Sequence, residues 1–116
     1  MTKKMKTSEL TGAALDWAVA KCEGASPDTL ESYIDGMREA NDGNYSTDWS
    51  QGGPIIERER IQLGINMDGD WHATVWRGTL ISERHAAAKS SPLIAAMRCY
   101  VASKLGDEVD IPEELK

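Results

Sequence analysis

The sequence lacks any apolar run approaching the length of a membrane span, which requires about 20 consecutive apolar residues. It also lacks a secretory signal, because the basic start Met1 to Lys6 leads into Thr, Ser and Glu rather than an apolar stretch. We therefore expect a soluble protein located in the cytoplasm.

Cysteine is scarce as well. The two cysteines, Cys22 and Cys99, each lie in an apolar helical pattern, and neither has a CxxC partner or histidine-rich surroundings. These features argue against a disulfide framework and a zinc site. We expect both thiols to be buried and unmodified, and the sequence predicts no metal and no cofactor.

Basic residues are fewer than acidic ones: the chain has 13 Lys and Arg and 19 Asp and Glu, which gives a formal net charge of −6. Phosphate recognition requires a clustered basic surface, so direct nucleic-acid binding is not expected. Acidic residues concentrate at about 107–116, which we interpret as a solvated tail rather than a nucleic-acid mimic.

The clearest element lies between Ser91 and Gly106. Ser91 and Pro92 are typical of a helix start, and Gly106 is typical of a helix end, so a helix is predicted over Pro92 to Leu105. Bulky apolar residues fall on one side and small residues on the other. Such a helix belongs in the core of one domain covering residues 1–116.

Two further helices are predicted before the middle of the chain. Gly12 to Glu23 places Leu15, Ala18, Val19 and Cys22 on one stripe, while Trp17 lies off it and is expected to pack on a second element. Pro27 to about Ala40 is predicted as a second helix. The alternative is a turn at Asp35-Gly36 between two short strands, and residues 41–44 form a break in either case.

Alternating apolar residues predict a β-hairpin. Ile61 to Met67 and Trp71 to Val75 alternate on either side of a turn at Gly69. A lone hairpin is marginal in water, so it should lie on the helices and gain a third strand, either Thr79 to Ser82 or Glu108 to Ile111. His85 to Lys89 is a polar, helix-tolerant connection.

The predicted fold is α+β, a single small domain with two or three helices on a small antiparallel sheet built around the hairpin.

The segment 45–60 has the composition of a binding loop, followed by a short helical turn after Pro54. Gly-Gly leaves backbone N–H groups accessible to a ligand, and Trp offers a stacking face. The candidate ligand-binding residues are Asp48, Trp49, Gln51, Gly52, Gly53, Arg58 and Arg98; no catalytic residue is predicted. The alternative is structural: Asp48 caps a helix, the Gly pair satisfies a turn, and Trp49 fills the core.

Three blocks of the chain resemble the NinX family of bacteriophage and prophage proteins of unknown function. They are KTSELTGAALDWAVA at 6–20, TDWSQGGPIIERE at 47–59 and SPLIAAMRCYVASKLGDEV at 91–109. The resemblance implies a small accessory protein made in an infected or lysogenic bacterial cell. It implies no reaction, cofactor or catalytic residue.

Three functions are compatible with these observations. The preferred one is non-enzymatic binding of a small polar ligand through residues 45–60. The second is a protein-binding module that contacts a host protein through the acidic tail and an exposed Trp17 or Trp76. The third is a small hydrolase using His72 with Asp48 or Glu57; it ranks last because no nucleophile keeps recognisable spacing with them.

Overall fold

The computed structural model describes residues 2–35, 43–77, 81–87 and 91–115. Within these ranges it contains four α-helices and two small antiparallel sheets, which confirms the predicted α+β class. The helices are α1 (Gly12–Cys22), α2 (Pro27–Asp35), α3 (Trp49–Glu59) and α4 (Pro92–Leu105). The strands are β1 (Thr2–Lys6), β2 (Gln62–Ile65), β3 (Trp71–Arg77), β4 (Ile81–Ala87) and β5 (Glu108–Pro112), with short 3₁₀ turns at Thr7–Glu9 and Glu113–Leu115.

Helix α4 has the predicted bounds and lies at the centre of the molecule. The Ile94 N–H donates to Ser91 Oγ over 3.1 Å at the start, and Gly106 ends the helix with φ +93°. Its bulky and small faces are both buried, because α4 contacts α1 and α3 as well as the strands β2, β3 and β4. The helix is therefore buried nearly all round, as its composition indicated.

The hairpin is also confirmed. β2 and β3 pair antiparallel with Leu63 opposite Ala73 and Ile65 opposite Trp71, and Gly69 adopts φ +85° in the turn. β4 adds the third strand, so the sheet order is β2-β3-β4. This strand starts within the first predicted candidate range but continues to Ala87, so residues 85–87 form a strand rather than a helix-tolerant connection.

A second sheet joins the two ends of the described chain. β1 pairs with β5, placing Lys4 opposite Asp110. This pairing corrects the interpretation of residues 107–116 as a solvated tail. Val109 and Ile111 are buried while Glu108 and Asp110 are exposed, the alternation typical of a strand with one solvated face. The strand at 2–6 was not predicted.

The first two helices form largely as predicted. α1 ends one residue early, at Cys22, and Trp17 is buried as expected, whereas Cys22 is only half-buried, which corrects its assignment to the core. α2 is helical through Asp35, so the alternative of strands around an Asp35 turn is wrong up to that residue. The predicted remainder of this helix and most of the break after it, residues 36–42, lie outside the described residues.

Candidate functional site

Residues 49–59, predicted to be mostly loop, form the helix α3 instead. Pro54 lies inside this helix, where it removes one backbone hydrogen bond at a typical cost of about 3 kcal/mol. Burial of Ile55 and a complete cap at Asp48 offset that cost. The prediction failed because Gly-Gly-Pro is normally a break signal, and here tertiary packing overrides it.

Asp48 is the N-cap of α3, the structural role considered from the sequence. Its Oδ1 accepts from the Ser50 N–H over 2.9 Å and from Ser50 Oγ over 2.6 Å, and its Oδ2 accepts from Gln51 Nε2 over 2.9 Å. Gln51 Oε1 in turn accepts from the Asn44 N–H over 2.9 Å. The hydrogen bonds from the Ser50 and Gln51 side chains, with that from the Ser50 N–H, lower the pKa of Asp48. Both candidate polar groups are thus already used within the chain.

The two glycines of α3 have different surroundings. A Cβ added at Gly52 would lie 2.4 Å from the Tyr45 carbonyl oxygen and 2.6 Å from Leu93 Cδ1, so only glycine fits between α4 and the preceding segment. A Cβ at Gly53 would meet nothing within 4 Å. Glycine at position 52 is therefore required for the close packing of α3 on its neighbours.

Trp49, by contrast, is not packed in the core. Its side chain is 51% exposed at the first position of α3, directly after the cap. Among the described residues, the other large apolar side chains with comparable exposure are Ile65 and Met67 near the hairpin turn. An exposed indole on a fixed helix start is typical of a contact residue.

Arg58 lies near the other end of α3, away from Trp49, in a cluster that we name the Arg58 cluster: Glu23, Arg58, Glu59, Tyr100 and Lys104. The Arg58 guanidinium contacts both oxygens of Glu23, at 2.6 and 3.1 Å, and donates to Glu59 Oε2 over 2.8 Å. Tyr100 OH accepts from Arg58 over 3.2 Å and donates to Glu23. These contacts tie together the ends of α1 and α3 and the middle of α4.

The cluster shifts the acidity of its members and of one neighbour. The hydrogen bond from Arg58 lowers the pKa of Glu23 and also that of Glu59. Burial, followed by the hydrogen bond to Glu23, raises the pKa of Tyr100. Burial also raises the pKa of Cys22 to about 11, so this thiol is protonated at neutral pH and is a poor nucleophile.

Arg98 is separated from the other candidate residues because it lies on α4. Its side chain is buried, and its Nε donates to the Leu10 carbonyl over 2.8 Å. Burial lowers the pKa of this guanidinium. The structure thus brings Asp48, Trp49, Gln51, Gly52 and Gly53 together and leaves Arg58 and Arg98 elsewhere.

The residues of the hydrolase hypothesis do not form a catalytic arrangement in the described part of the chain. His72 lies on β3 with its imidazole over Gly64, and its Nδ1 is buried without a hydrogen-bond partner. Asp48 is occupied with Ser50 and Gln51, and Glu57 is exposed on α3. The described residues also contain no group of three or more His, Cys, Asp or Glu placed to hold a metal ion.

No described helix has the length and apolar character to cross a membrane.

A separate cleft of about 520 Å³ opens where the 3₁₀ turn Thr7–Glu9 meets the start of β5. Lys6, Ser8, Asp107 and Glu108 line it. Next to the cleft, the Thr7 N–H donates to the Asp107 carbonyl over 2.8 Å, and Thr7 Oγ1 donates to the Gly106 carbonyl over 2.7 Å, which hold the 3₁₀ turn against the start of β5. The sequence analysis did not identify this cleft, because it depends on pairing between the two ends of the described chain.

Comparison with known families gives one decisive result. The model of the family described as Bacteriophage P22, NinX matches residues 6–104, which is most of the chain. The chain belongs to the NinX family. A comparison with curated protein sequences gives no match. Family membership confirms the resemblance and supports a phage accessory protein.

Within this NinX-family protein, sequence reasoning missed the Arg58 cluster. Glu23 lies at the predicted end of the first helix and Tyr100 on the bulky face of the last, and their separation of 77 positions leaves no local pattern. The available signal was weak: Tyr100 is the one bulky residue of that face with a polar tip, which requires a partner when buried.

Proposed function

We propose that this NinX-family protein is a non-enzymatic phage accessory protein that binds another protein through a surface centred on Trp49. One observation carries the proposal: the Trp49 indole is half-exposed, although the helix start beneath it is fixed by a complete set of hydrogen bonds. Rigid aromatic side chains lose little conformational entropy on binding and are frequent energetic centres of interfaces.

The negative charge beside Trp49 indicates the kind of surface that a partner protein would present to it. The Asp48 carboxylate next to Trp49 is negatively charged at neutral pH, and the net charge of the whole chain is −6. A partner with an apolar pocket and a basic rim has the matching electrostatic surface. Trp49 provides the central contact. Asp48 contributes its negative charge beside it, Gln51 and Gly52 hold the start of α3 in place, and no atom lies within 4 Å of a Cβ added at Gly53.

A small polar ligand at residues 45–60 receives less support from the structure. The carboxylate of Asp48 and the amide of Gln51 bond to one another and to neighbouring backbone, so a ligand would have to displace these contacts. Arg58 and Arg98 would also have to leave their partners Glu23 and Leu10. A protein surface needs only the exposed indole and its surroundings.

Substitution of Trp49 tests the proposal. Trp49→Ala should keep the wild-type thermal transition, because the lost side chain is half-exposed, yet abolish retention of a host or phage protein by tagged protein expressed in infected cells. Trp49→Phe should retain that partner in part. The matched control is Met67→Ala, which removes a still more exposed apolar side chain from the hairpin turn. Equal recovery of the same partner by wild type and Trp49→Ala would exclude Trp49 as the anchor.

The cleft beside β5 supports a second candidate function, the binding of a small polar ligand. Its volume of about 520 Å³ lies within the range of small-molecule sites, and one ammonium with two carboxylates suits a ligand that carries both charges. Native mass spectrometry of protein from infected cells should then show a retained small molecule that is lost in Lys6→Gln and kept in Lys3→Gln. Identical spectra for the two variants would exclude the cleft.

A further inference from the structure

The strand β2 forms an open edge of the three-stranded sheet. It pairs with β3 on one side, and the sheet order β2-β3-β4 leaves its other side without a strand among the described residues. Most exposed edges are blunted by charged side chains, as β1 is by Lys3 and Lys4. β2 carries none: its residues are Gln62, Leu63, Gly64 and Ile65.

The hydrogen-bond pattern shows which backbone groups face outward. The Asn66 N–H donates to the Asp70 carbonyl over 2.9 Å, so this pair is hydrogen-bonded across the hairpin. Because bonded and non-bonded pairs alternate along an antiparallel ladder, Gly64 and Gln62 also bond to β3. Leu63 and Ile65 therefore direct their N–H and C=O groups toward the open edge.

The side chains next to this edge are unusually apolar for a surface. Ile65 is 55% exposed on the sheet face that also carries Leu63 and Trp71, and Met67 in the adjoining turn is fully exposed. This face packs on α4 farther along β3, through Ala73 and Val75, and extends past the helix toward the turn. The open edge thus combines unpaired backbone with apolar side chains, the features of a strand that another strand pairs with.

We propose that two copies of this chain associate through their β2 strands, antiparallel about a two-fold axis at Gly64, to form one continuous sheet. Leu63 of each copy then lies opposite Ile65 of the other, which gives two such pairs about the axis. The outward-facing Leu63 and Ile65 become hydrogen-bonded pairs, as the alternation requires. The Gly64 residues meet at the axis, where no side chain separates the two backbones.

The charges beside the edge favour this register. Arg60 precedes β2 and Asp68 follows it, both exposed, and in the described part of the chain neither side chain forms an ion pair. Arg60 lies just before β2 and Asp68 in the turn just after it, so pairing about Gly64 brings Arg60 of one copy and Asp68 of the other to the same end of the shared ladder, twice in the dimer. Shifting the axis by one residue, to Leu63 or Ile65, would keep apolar residues opposite one another but would move each Arg60 away from Asp68 of the other copy.

Charge exchange at Arg60 and Asp68 tests the proposal directly. Sedimentation equilibrium of the full chain should show a monomer–dimer equilibrium. Arg60→Asp and Asp68→Arg should each weaken dimerisation by about tenfold or more, because both pairs in the dimer become like-charged. Mixing the two variants should restore association, since each introduced charge then faces its opposite in both pairs. The effect should diminish as salt is raised.

Matched controls carry the same changes in charge away from the edge. Lys3→Asp and Glu31→Arg, both at exposed positions, should dimerise like wild type. A protein that stays monomeric at all concentrations would overturn the proposal. So would a dimer that Arg60→Asp and Asp68→Arg leave unchanged, because it would use another face.

Backbone amide exchange supplies a readout independent of charge. The N–H groups of Leu63 and Ile65 should exchange rapidly in dilute protein and become protected as the concentration rises. The Gly64 N–H, which bonds to β3, should be protected throughout. Unchanged exchange at Leu63 and Ile65 in a sample shown to be dimeric would exclude pairing along this edge. The test does not involve Trp49, so it is independent of the proposed partner binding.

Discussion

Gly52 and Gly53 are adjacent residues of one helix with opposite surroundings, and they give a matched pair of predictions. Gly52→Ala should lower the free energy of unfolding by about 1 to 3 kcal/mol, because the new Cβ meets the Tyr45 carbonyl and Leu93. Gly53→Ala should raise it by about 0.5 to 1 kcal/mol, because the site is open and alanine restricts the unfolded chain. Urea unfolding of both variants beside wild type measures the difference.

For single residues, the sequence shows which residue types are unusual in a segment, but it does not show which atoms each residue contacts in the folded protein. The Gly pair was recognised as unusual, but nothing in the printed residues distinguishes a glycine pressed against Tyr45 from one facing open space. Asp48 was correctly considered as a cap, since an Asp before a helix start is a local signal. Equal effects of Gly52→Ala and Gly53→Ala would contradict the packing described for α3.

The Arg58 cluster joins three helices, and its carboxylates predict a dependence of stability on pH. Arg58 holds the pKa values of Glu23 and Glu59 below their ordinary value of 4.5. A lowered carboxylate pKa contributes stability that is present above the unfolded value and lost as pH falls through the folded one. Arg58→Met should therefore cost about 1 kcal/mol at neutral pH, a modest value because the pairs are partly exposed, and nothing in acid.

Urea unfolding followed by circular dichroism across the acid range tests this expectation. The curves of wild type and Arg58→Met should separate at neutral pH and converge in acid, as the pH falls through the lowered pKa values of Glu23 and Glu59. Arg60→Met, which makes the same change two residues later and outside the cluster, should keep the wild-type pH profile in dilute solution, where the chain is monomeric. A constant offset between wild type and Arg58→Met at all pH values would show that the cluster acts through packing alone.

Among the elements, those with local signals were predicted and those that depend on distant partners were not. α4 was found with its bounds because Ser91, Pro92 and Gly106 mark its ends. The hairpin was found because its apolar residues alternate around Gly69. β1 was missed because a strand of mostly exposed lysines has no apolar pattern, and it is stable only through β5. α3 was missed because Pro54 breaks helices in most contexts.

The whole molecule depends on α4, so one buried charge there should prevent folding. Met97 is fully buried, and an unpaired carboxylate in that position costs several kcal/mol, comparable with the stability of a domain of this size. Met97→Asp should show no cooperative thermal transition by circular dichroism. Met67→Asp, the same change at a fully exposed methionine, should stay within about 0.5 kcal/mol of wild type in dilute solution. A wild-type melt for Met97→Asp would refute the central position of α4.

The pairing of β1 with β5 has a consequence for synthesis of the chain on the ribosome. Partner residues such as Lys4 and Asp110 are separated by roughly a hundred positions, so β1 leaves the ribosome well before β5 and has no strand to pair with until β5 is made. An apolar strand exposed for that time would tend to aggregate with neighbouring nascent chains. Lys3, Lys4 and Lys6 keep the unpaired strand soluble until β5 has been synthesised. The same lysines leave β1 without an apolar pattern, which is why the sequence did not predict it.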